Sequence, residues 1–356
     1  MTAVDLGLPR IGGKAPGVAD TATRPDTPYL VDGFGRVATD LRVSLTDRCN
    51  LRCTYCMPED GLDWLPESNT LTDAELLRLL RIAVERLGIT DIRLTGGEPL
   101  LRNGLEGLVE AIAGFRPRPR ISLTTNAIGL ARRAPRLAAA GLDRVNVSLD
   151  TLQEDRFKEI ARRDRLRHVL DGLDAAREAG LNPVKINAVL LRGVNEDEAA
   201  PLLRFALDHG YHLRFIEQMP LDAQHGWDRE NMITAEEILA KLRAEFDLAP
   251  SSTERGAAPA ERWQVNGGPQ EVGVIASVTR PFCAACDRTR LTADGQLRNC
   301  LFSQSETDLR TPLRAGESEE QIADHWRATM WVKAAGHGIN SDEFTQPLRP
   351  MSAIGG

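Results

Sequence analysis

Six cysteines stand in two groups of three, Cys49, Cys53 and Cys56 as C-x3-C-x2-C and Cys283, Cys286 and Cys300 as C-x2-C-x13-C. An even count could mean disulfides, but no secretory signal accompanies them and disulfide-stapled domains are far smaller than this chain. Metal binding is the economical reading. Three thiolates within residues 49–56 can wrap one compact cluster, whereas a 4Fe-4S centre held entirely by protein takes four. No histidine or further cysteine lies beside either group. A structural zinc site, the competing reading, would also need a fourth ligand. The pattern predicts two 4Fe-4S clusters, each with one iron open to a small molecule.

Between the arms of the second group lies Asp287-Arg288-Thr289-Arg290. Guanidinium pairs bond phosphate bidentately, so an anion is expected beside that cluster. The chain as a whole carries a net charge of -7, which argues against a general nucleic-acid binder. Any anionic ligand must meet a local basic site. Hydrophobic residues at 42% and charged residues at 27% are ordinary for a soluble protein with a sizeable core. Residues 1–28 hold no signal-like or anchoring apolar run and read as a mobile tail. No later segment reaches the length of a membrane span. A cytoplasmic protein without membrane contact is expected.

The elements that must position these residues alternate between short aliphatic runs and helical stretches, the pattern of βα units and a parallel sheet. Strands are expected at 41–45, 89–94, 120–124, 144–149, 184–191 and 212–216, with helices at 72–87, 104–113, 130–140, 153–179 and 196–208. The fold class is α/β, a partial (β/α)6 TIM-type barrel, with a C-terminal region carrying the second cluster. The division expected is 1–28 tail, 29–250 barrel and 251–356 auxiliary region. The latter holds a helix at 235–246 before it, a polar loop at 251–268, a strand at 272–278, an Asp294-Gly295 turn and a helix at 319–335.

Strands buried on both faces are usually continuous apolar runs, yet Arg42, Arg93, Lys185 and Arg214 each alternate with aliphatic neighbours. Period-2 spacing sends each polar set to one face. If that face is the barrel interior, four cations share a lumen, and because unpaired buried cations are costly the lumen must hold water and an anion. The alternative is that these side chains pair with Asp or Glu, or turn outward at strand ends. The first cysteine group follows the first strand, at the end of a barrel where sites of this architecture assemble.

The first triad, with Tyr55 before its last cysteine, and Gly96-Gly97-Glu98-Pro99 at the end of the second strand resemble the radical S-adenosylmethionine family. The resemblance implies that S-adenosyl-L-methionine completes the first cluster, with Tyr55, Gly97, Ser148 and Met219 at its site. Thr124 and Asn126 end the third strand in the same ring of loops. Together with C-x2-C-x-R-x-R-x9-C and the C-terminal Gly355-Gly356, the pattern over 29–356 resembles the GTP 3',8-cyclase family of molybdenum cofactor biosynthesis. That implies GTP contacts from Arg42, Arg93, Thr124, Lys185, Arg214, Arg288, Thr289 and Arg290, guanine on the open iron of the second cluster, and a tail reaching the active site. It further implies an electron donor and a downstream cyclic pyranopterin monophosphate synthase, with monomer and homodimer both open. Relatives often carry lysine where this chain has Asp91, which puts one phosphate contact in question. A radical enzyme with an auxiliary cluster acting on another substrate is the alternative.

Overall fold

The computed structural model describes residues 23–355. Most of the expected tail, residues 1–22, and the final Gly356 lie outside the described residues. Six strands follow in the expected order: β1 (Asp40–Ser44), β2 (Asp91–Thr95), β3 (Arg120–Thr125), β4 (Arg144–Ser148), β5 (Lys185–Ala188) and β6 (His212–Ile216). Each pairs in parallel with the next. One face of every strand is aliphatic, and Leu41, Val43, Ile92, Leu94, Val145, Val147, Ile186 and Phe215 are fully buried under the helices.

The helices are α1 (Asp73–Leu87), α2 (Leu105–Ala113), α3 (Leu130–Ala139), α4 (Glu154–Ala161), α5 (Leu166–Glu178), α6 (Ala199–His209) and α7 (Ala235–Arg243). Local signals set several of their ends. Thr72 and Glu75 form a capping box on α1, and Gly88 closes that helix in the left-handed conformation. The helix expected over 153–179 is two helices. Arg162 takes φ 52° between them, and the carbonyls freed by the break, Ile160 and Ala161, accept from Thr54 and Arg52 in the cysteine loop. Sequence periodicity cannot reveal that break, because the partner that demands it lies over 100 residues away.

The C-terminal region is knitted into the same sheet. Strands β7 (Leu248–Pro250), β8 (Glu261–Val265) and β9 (Glu271–Ile275) form a meander whose last member pairs in parallel with β6. Strand β10 (Arg288–Leu291) pairs in parallel with β1 at the opposite edge, followed outward by β11 (Gln296–Arg298) and β12 (Thr307–Asp308). The (β/α)6 barrel stands, widened by one parallel strand on each edge. Strand β8 corrects part of the expected 251–268 loop: its hydrogen-bonded partner β9 turns a polar stretch into a strand. Helices α8 (Arg310–Arg314), α9 (Glu319–Trp331) and α10 (Met351–Ile354) complete the chain. A small apolar cluster of Leu221, Met232, Val278, Phe302, Ile339 and Ile354 lies under the second cysteine group. No helix of the described residues is long and apolar enough to cross a membrane.

Candidate active site

The first cysteine loop leaves β1 and is clasped by the turn after β2. Gly97 N donates to Thr46 O and Glu98 N to Arg48 O, both at 2.7 Å. A Cβ on Gly96 would stand 2.4 Å from Thr46 O, and one on Gly97 2.3 Å from Arg48 O. These glycines are therefore demanded by the close approach of the cysteine loop. Glu98 is fully buried and ties the turn to β3, accepting from Thr125 Oγ1 at 2.6 Å, Asn126 N at 2.7 Å and Leu100 N at 2.9 Å. Burial pushes its carboxyl up to about 7 despite those bonds. Asn126 Nδ2 reaches Asn50 Oδ1 at 2.7 Å and Cys49 Sγ at 3.9 Å.

All six cysteines are free thiols. In the first triad burial pushes Cys49 up to about 11 and Cys56 up to about 12, and raises Cys53 too, with Glu98 adding to the effect at Cys49 and neighbouring thiols at Cys53 and Cys56. Such thiols suit a polycationic core that deprotonates them on binding. Among the described residues no three Cys, His, Asp or Glu groups converge on a single-ion position, the arrangement that a tetrahedral zinc requires. Cys49, Cys53, Cys56, Tyr55, Gly97, Thr124, Asn126 and Ser148 line one cavity. Tyr55 is held by a 2.7 Å bond from its hydroxyl to Asp150 Oδ2, and Asp150 in turn accepts from Val189 N.

The second triad borders the larger cavity of the lumen, which Cys56, Met219, Ser148 and Tyr55 also line, so one space touches both triads. Lys333 is buried and donates to Arg288 O at 2.8 Å, with its ammonium 3.3 Å from Cys286 Sγ. Burial works against ionising Cys286, but Lys333 and Arg288 outweigh it and hold this thiol below its ordinary value. Nothing in the local sequence marks Lys333; only the packing of the segment after α9 brings it here.

Arg42, Arg93, Arg214, Arg288 and Arg290 line that same cavity. Register explains it: Arg42 lies opposite both Arg93 and Arg290 across adjacent strands. The cations find few partners. Arg93 and Arg288 approach Asp40 only at 3.7 and 3.9 Å, and Arg214 donates to Asn146 Oδ1 at 2.8 Å. The Nε atoms of Arg42, Arg93, Arg214 and Arg288 are buried without a hydrogen-bond partner. Burial followed by mutual repulsion lowers Arg42 well below its usual range and brings Arg214 down to about 9. An anion is the group that would satisfy this set. Asp40, not anticipated, shares the parity of Arg42, and that period was its available signal. Burial works against its ionisation, yet the surrounding arginines hold it below the usual carboxylate value.

Two expected residues depart from this cavity. Thr289 alternates with Arg288 and Arg290, so its side chain turns into the core, where Oγ1 accepts from Trp326 Nε1 at 3.1 Å. A side-chain contact with substrate is corrected to a packing role. Lys185 lines a separate cavity at the N-terminal ends of the strands, which shares Arg93, Arg214 and Arg288 with the lumen. The C-terminal segment, by contrast, does enter the site. Arg290 Nη1 donates to Gly355 O, Met351 lines both cysteine cavities, and the Ser352 backbone N–H points at Cys56. Gly355 has φ +90°, and a Cβ there would stand 2.8 Å from Thr95 Cγ2 and 3.1 Å from Ser44 Cβ.

A Radical SAM superfamily profile matches residues 43–206, and one described as Molybdenum Cofactor Synthesis C matches residues 211–339. The crystal structure of Streptococcus suis SuiB bound to S-adenosylmethionine superposes with a TM-score of 0.57 at 15% identity, over 86% of this chain and 69% of that one. At that identity the likeness is one of fold. Barrel, triad and profile define a radical S-adenosylmethionine enzyme with an added C-terminal region. A protein named GTP 3',8-cyclase from Streptomyces coelicolor is 65% identical over 94% of this chain and 99% of its own length. One of the same name from Mycobacterium sp. strain KMS is 62% identical over the whole of both chains. The chain belongs to the GTP 3',8-cyclase family, which carries a 4Fe-4S cluster with S-adenosylmethionine in the barrel and an additional C-terminal cluster.

Proposed function

We propose that this protein converts GTP to (8S)-3',8-cyclo-7,8-dihydro-GTP, the first step of molybdenum cofactor biosynthesis. The observation that carries the reading is the single cavity bordered by Cys56 of the first triad and by all three cysteines of the second, and lined by guanidiniums of which Arg42, Arg93, Arg214 and Arg288 have buried Nε atoms without a partner. Cys49, Cys53 and Cys56 would hold one cluster and Cys283, Cys286 and Cys300 the other. When bound, the first cluster with S-adenosyl-L-methionine and one electron would supply the 5'-deoxyadenosyl radical that abstracts the ribose 3' hydrogen, and closure of C3' onto C8 of guanine would need a second electron and a proton to give the dihydro product.

The chain's own residues bind, orient and exclude water. Tyr55, the Gly97 backbone, Ser148 and Met219 surround the S-adenosylmethionine site. Arg42, Arg93, Thr124, Arg214, Arg288 and Arg290 receive the nucleotide along the lumen, with Lys185 at its far end. Fixing C3' and C8 as near-attack partners lowers the barrier through orientation, and the inserted C-terminal segment closes the space over them. The barrel core is assigned to residues 29–250 and the auxiliary-cluster region to 251–356. An external one-electron donor is required, the product passes to a cyclic pyranopterin monophosphate synthase, and the location is cytoplasmic.

The test is anaerobic reconstitution with iron and sulfide, followed by incubation with GTP, S-adenosylmethionine and a reductant. Formation of 5'-deoxyadenosine that rises with GTP, together with the cyclised nucleotide, is expected. GTP-independent cleavage with no nucleotide product would overturn the assignment and favour another substrate.

A further inference from the structure

The N-terminal mouth of the barrel is a second charged space, which shares Arg93, Arg214, Pro259 and Arg288 with the lumen as a common wall. Seven Arg and Lys side chains line it against four Asp and Glu, an excess of three positive charges in a chain whose total is -7. Three of the seven cations have close partners of their own here. Arg120 bonds Asp91 Oδ2 at 2.7 Å, Arg262 pairs with Glu271 at 3.3 Å, and Arg288 donates to Ala257 O at 2.8 Å.

Arg144 has no such partner. It opens β4 on the same parity as Asn146 and Ser148, both of which face the lumen side, and its one ion pair is a long 3.9 Å contact with Asp91. It stands close enough to Lys185, Arg93 and Arg214 to repel each of them. Four cations converging on this one space, with Arg93 and Arg214 carrying buried unpartnered Nε atoms, describe a receptacle for a polyanion. A lone cation would be repelled from this place, and an apolar group would leave these charges unpaired.

We infer that Arg144 is a further substrate-binding residue, taking the terminal phosphate of the nucleotide together with Lys185 at the N-terminal mouth. The inference rests on the GTP reading above and adds to it what selects a triphosphate over shorter nucleotides. Asp91 then has a role other than a lost phosphate contact. Its carboxylate holds Arg120 on one oxygen and faces Arg144 on the other, so the acid braces two guanidiniums at the mouth where a lysine would present one ammonium. Guanidinium and phosphate match as planar fork and oxyanion, which makes this a selective contact as well as an attractive one.

The test is calorimetric titration of GTP, GDP and GMP into the reconstituted protein under anaerobic conditions, for wild type, Arg144→Gln and Arg144→Lys. One charge-assisted contact corresponds to roughly a 10- to 100-fold change in affinity. Arg144→Gln is expected to weaken GTP by about that factor and leave GMP unchanged, with Arg144→Lys recovering part of the loss. Unchanged GTP affinity in Arg144→Gln, or an equal loss for all three nucleotides, would overturn the role of Arg144 while leaving the GTP reading intact. Failure of the wild type to bind any guanine nucleotide would bring down both.

Discussion

Lys185 shows how one residue's environment becomes a measurable property of the site. Burial, and after it the charges of Arg214, Arg144, Arg93 and Arg262, bring its ammonium down to about 7, against roughly 10.4 for an unperturbed lysine. Above pH 7 the free protein therefore carries this side chain largely neutral. A bound phosphate favours the charged form and raises its pKa, so binding takes up a proton and affinity falls as pH rises through 7 and beyond. At pH 8 the nucleotide's own phosphates are fully ionised, their second ionisation lying near ~6, and the proton must go to the protein. Titrations at pH 8 in buffers of different ionisation enthalpy should give an uptake approaching one proton per GTP in wild type and clearly less in Lys185→Met. Equal uptake in both would assign the proton elsewhere.

At the scale of elements, the turn after β2 and the loop after β1 act as one piece. Two backbone hydrogen bonds join them, and neither glycine of the turn can accept a Cβ without moving the loop that carries Cys49. Gly97→Ala is expected to displace that loop while the second triad, held on the far side of β1 by β10 and Lys333 and making neither of the two clasp bonds, stays in place. Iron in the reconstituted protein should fall from roughly eight to roughly four atoms per chain, the count of one 4Fe-4S centre in place of two. Retention of the full iron content would show that the clasp tolerates the methyl group. The split between α4 and α5 belongs to the same scale: the helix stops at Ala161 because its last carbonyls serve the cysteine loop.

At the scale of the whole molecule, the C-terminal segment closes the site that the barrel opens. Strands β9 and β10 extend the parallel sheet at both edges, and the C-terminal segment returns to the lumen so that Gly355 O meets Arg290. Its conformation at φ +90° and its contacts with Thr95 and Ser44 leave space for glycine alone. Gly355→Ala should keep both clusters and most of the GTP affinity but lower kcat by about 100-fold, since ångström-scale misplacement of reacting groups costs on that order. Iron analysis and nucleotide titration beside single-turnover rates would check it, and an unchanged kcat would separate the tail from catalysis.

Residue types and spacing by themselves determined the two thiol triads, the six βα units and the parity that sends Arg42, Arg93 and Arg214 to one face, because ligand spacing and strand period are local properties. The same parity, carried through 288–290, turns Thr289 away from the site, a consequence of β10 being a strand that the sequence did not announce. Asp40 is legible from the same period. Lys333 beside Cys286, the helix break at Arg162 and the meeting of the C-terminal glycine with Arg290 were not legible at all. Each is fixed by a partner from 47 to 110 residues distant. Only the folded chain decides which of its distant groups share a space, since burial and charge acquire their energies from neighbours that the sequence does not name.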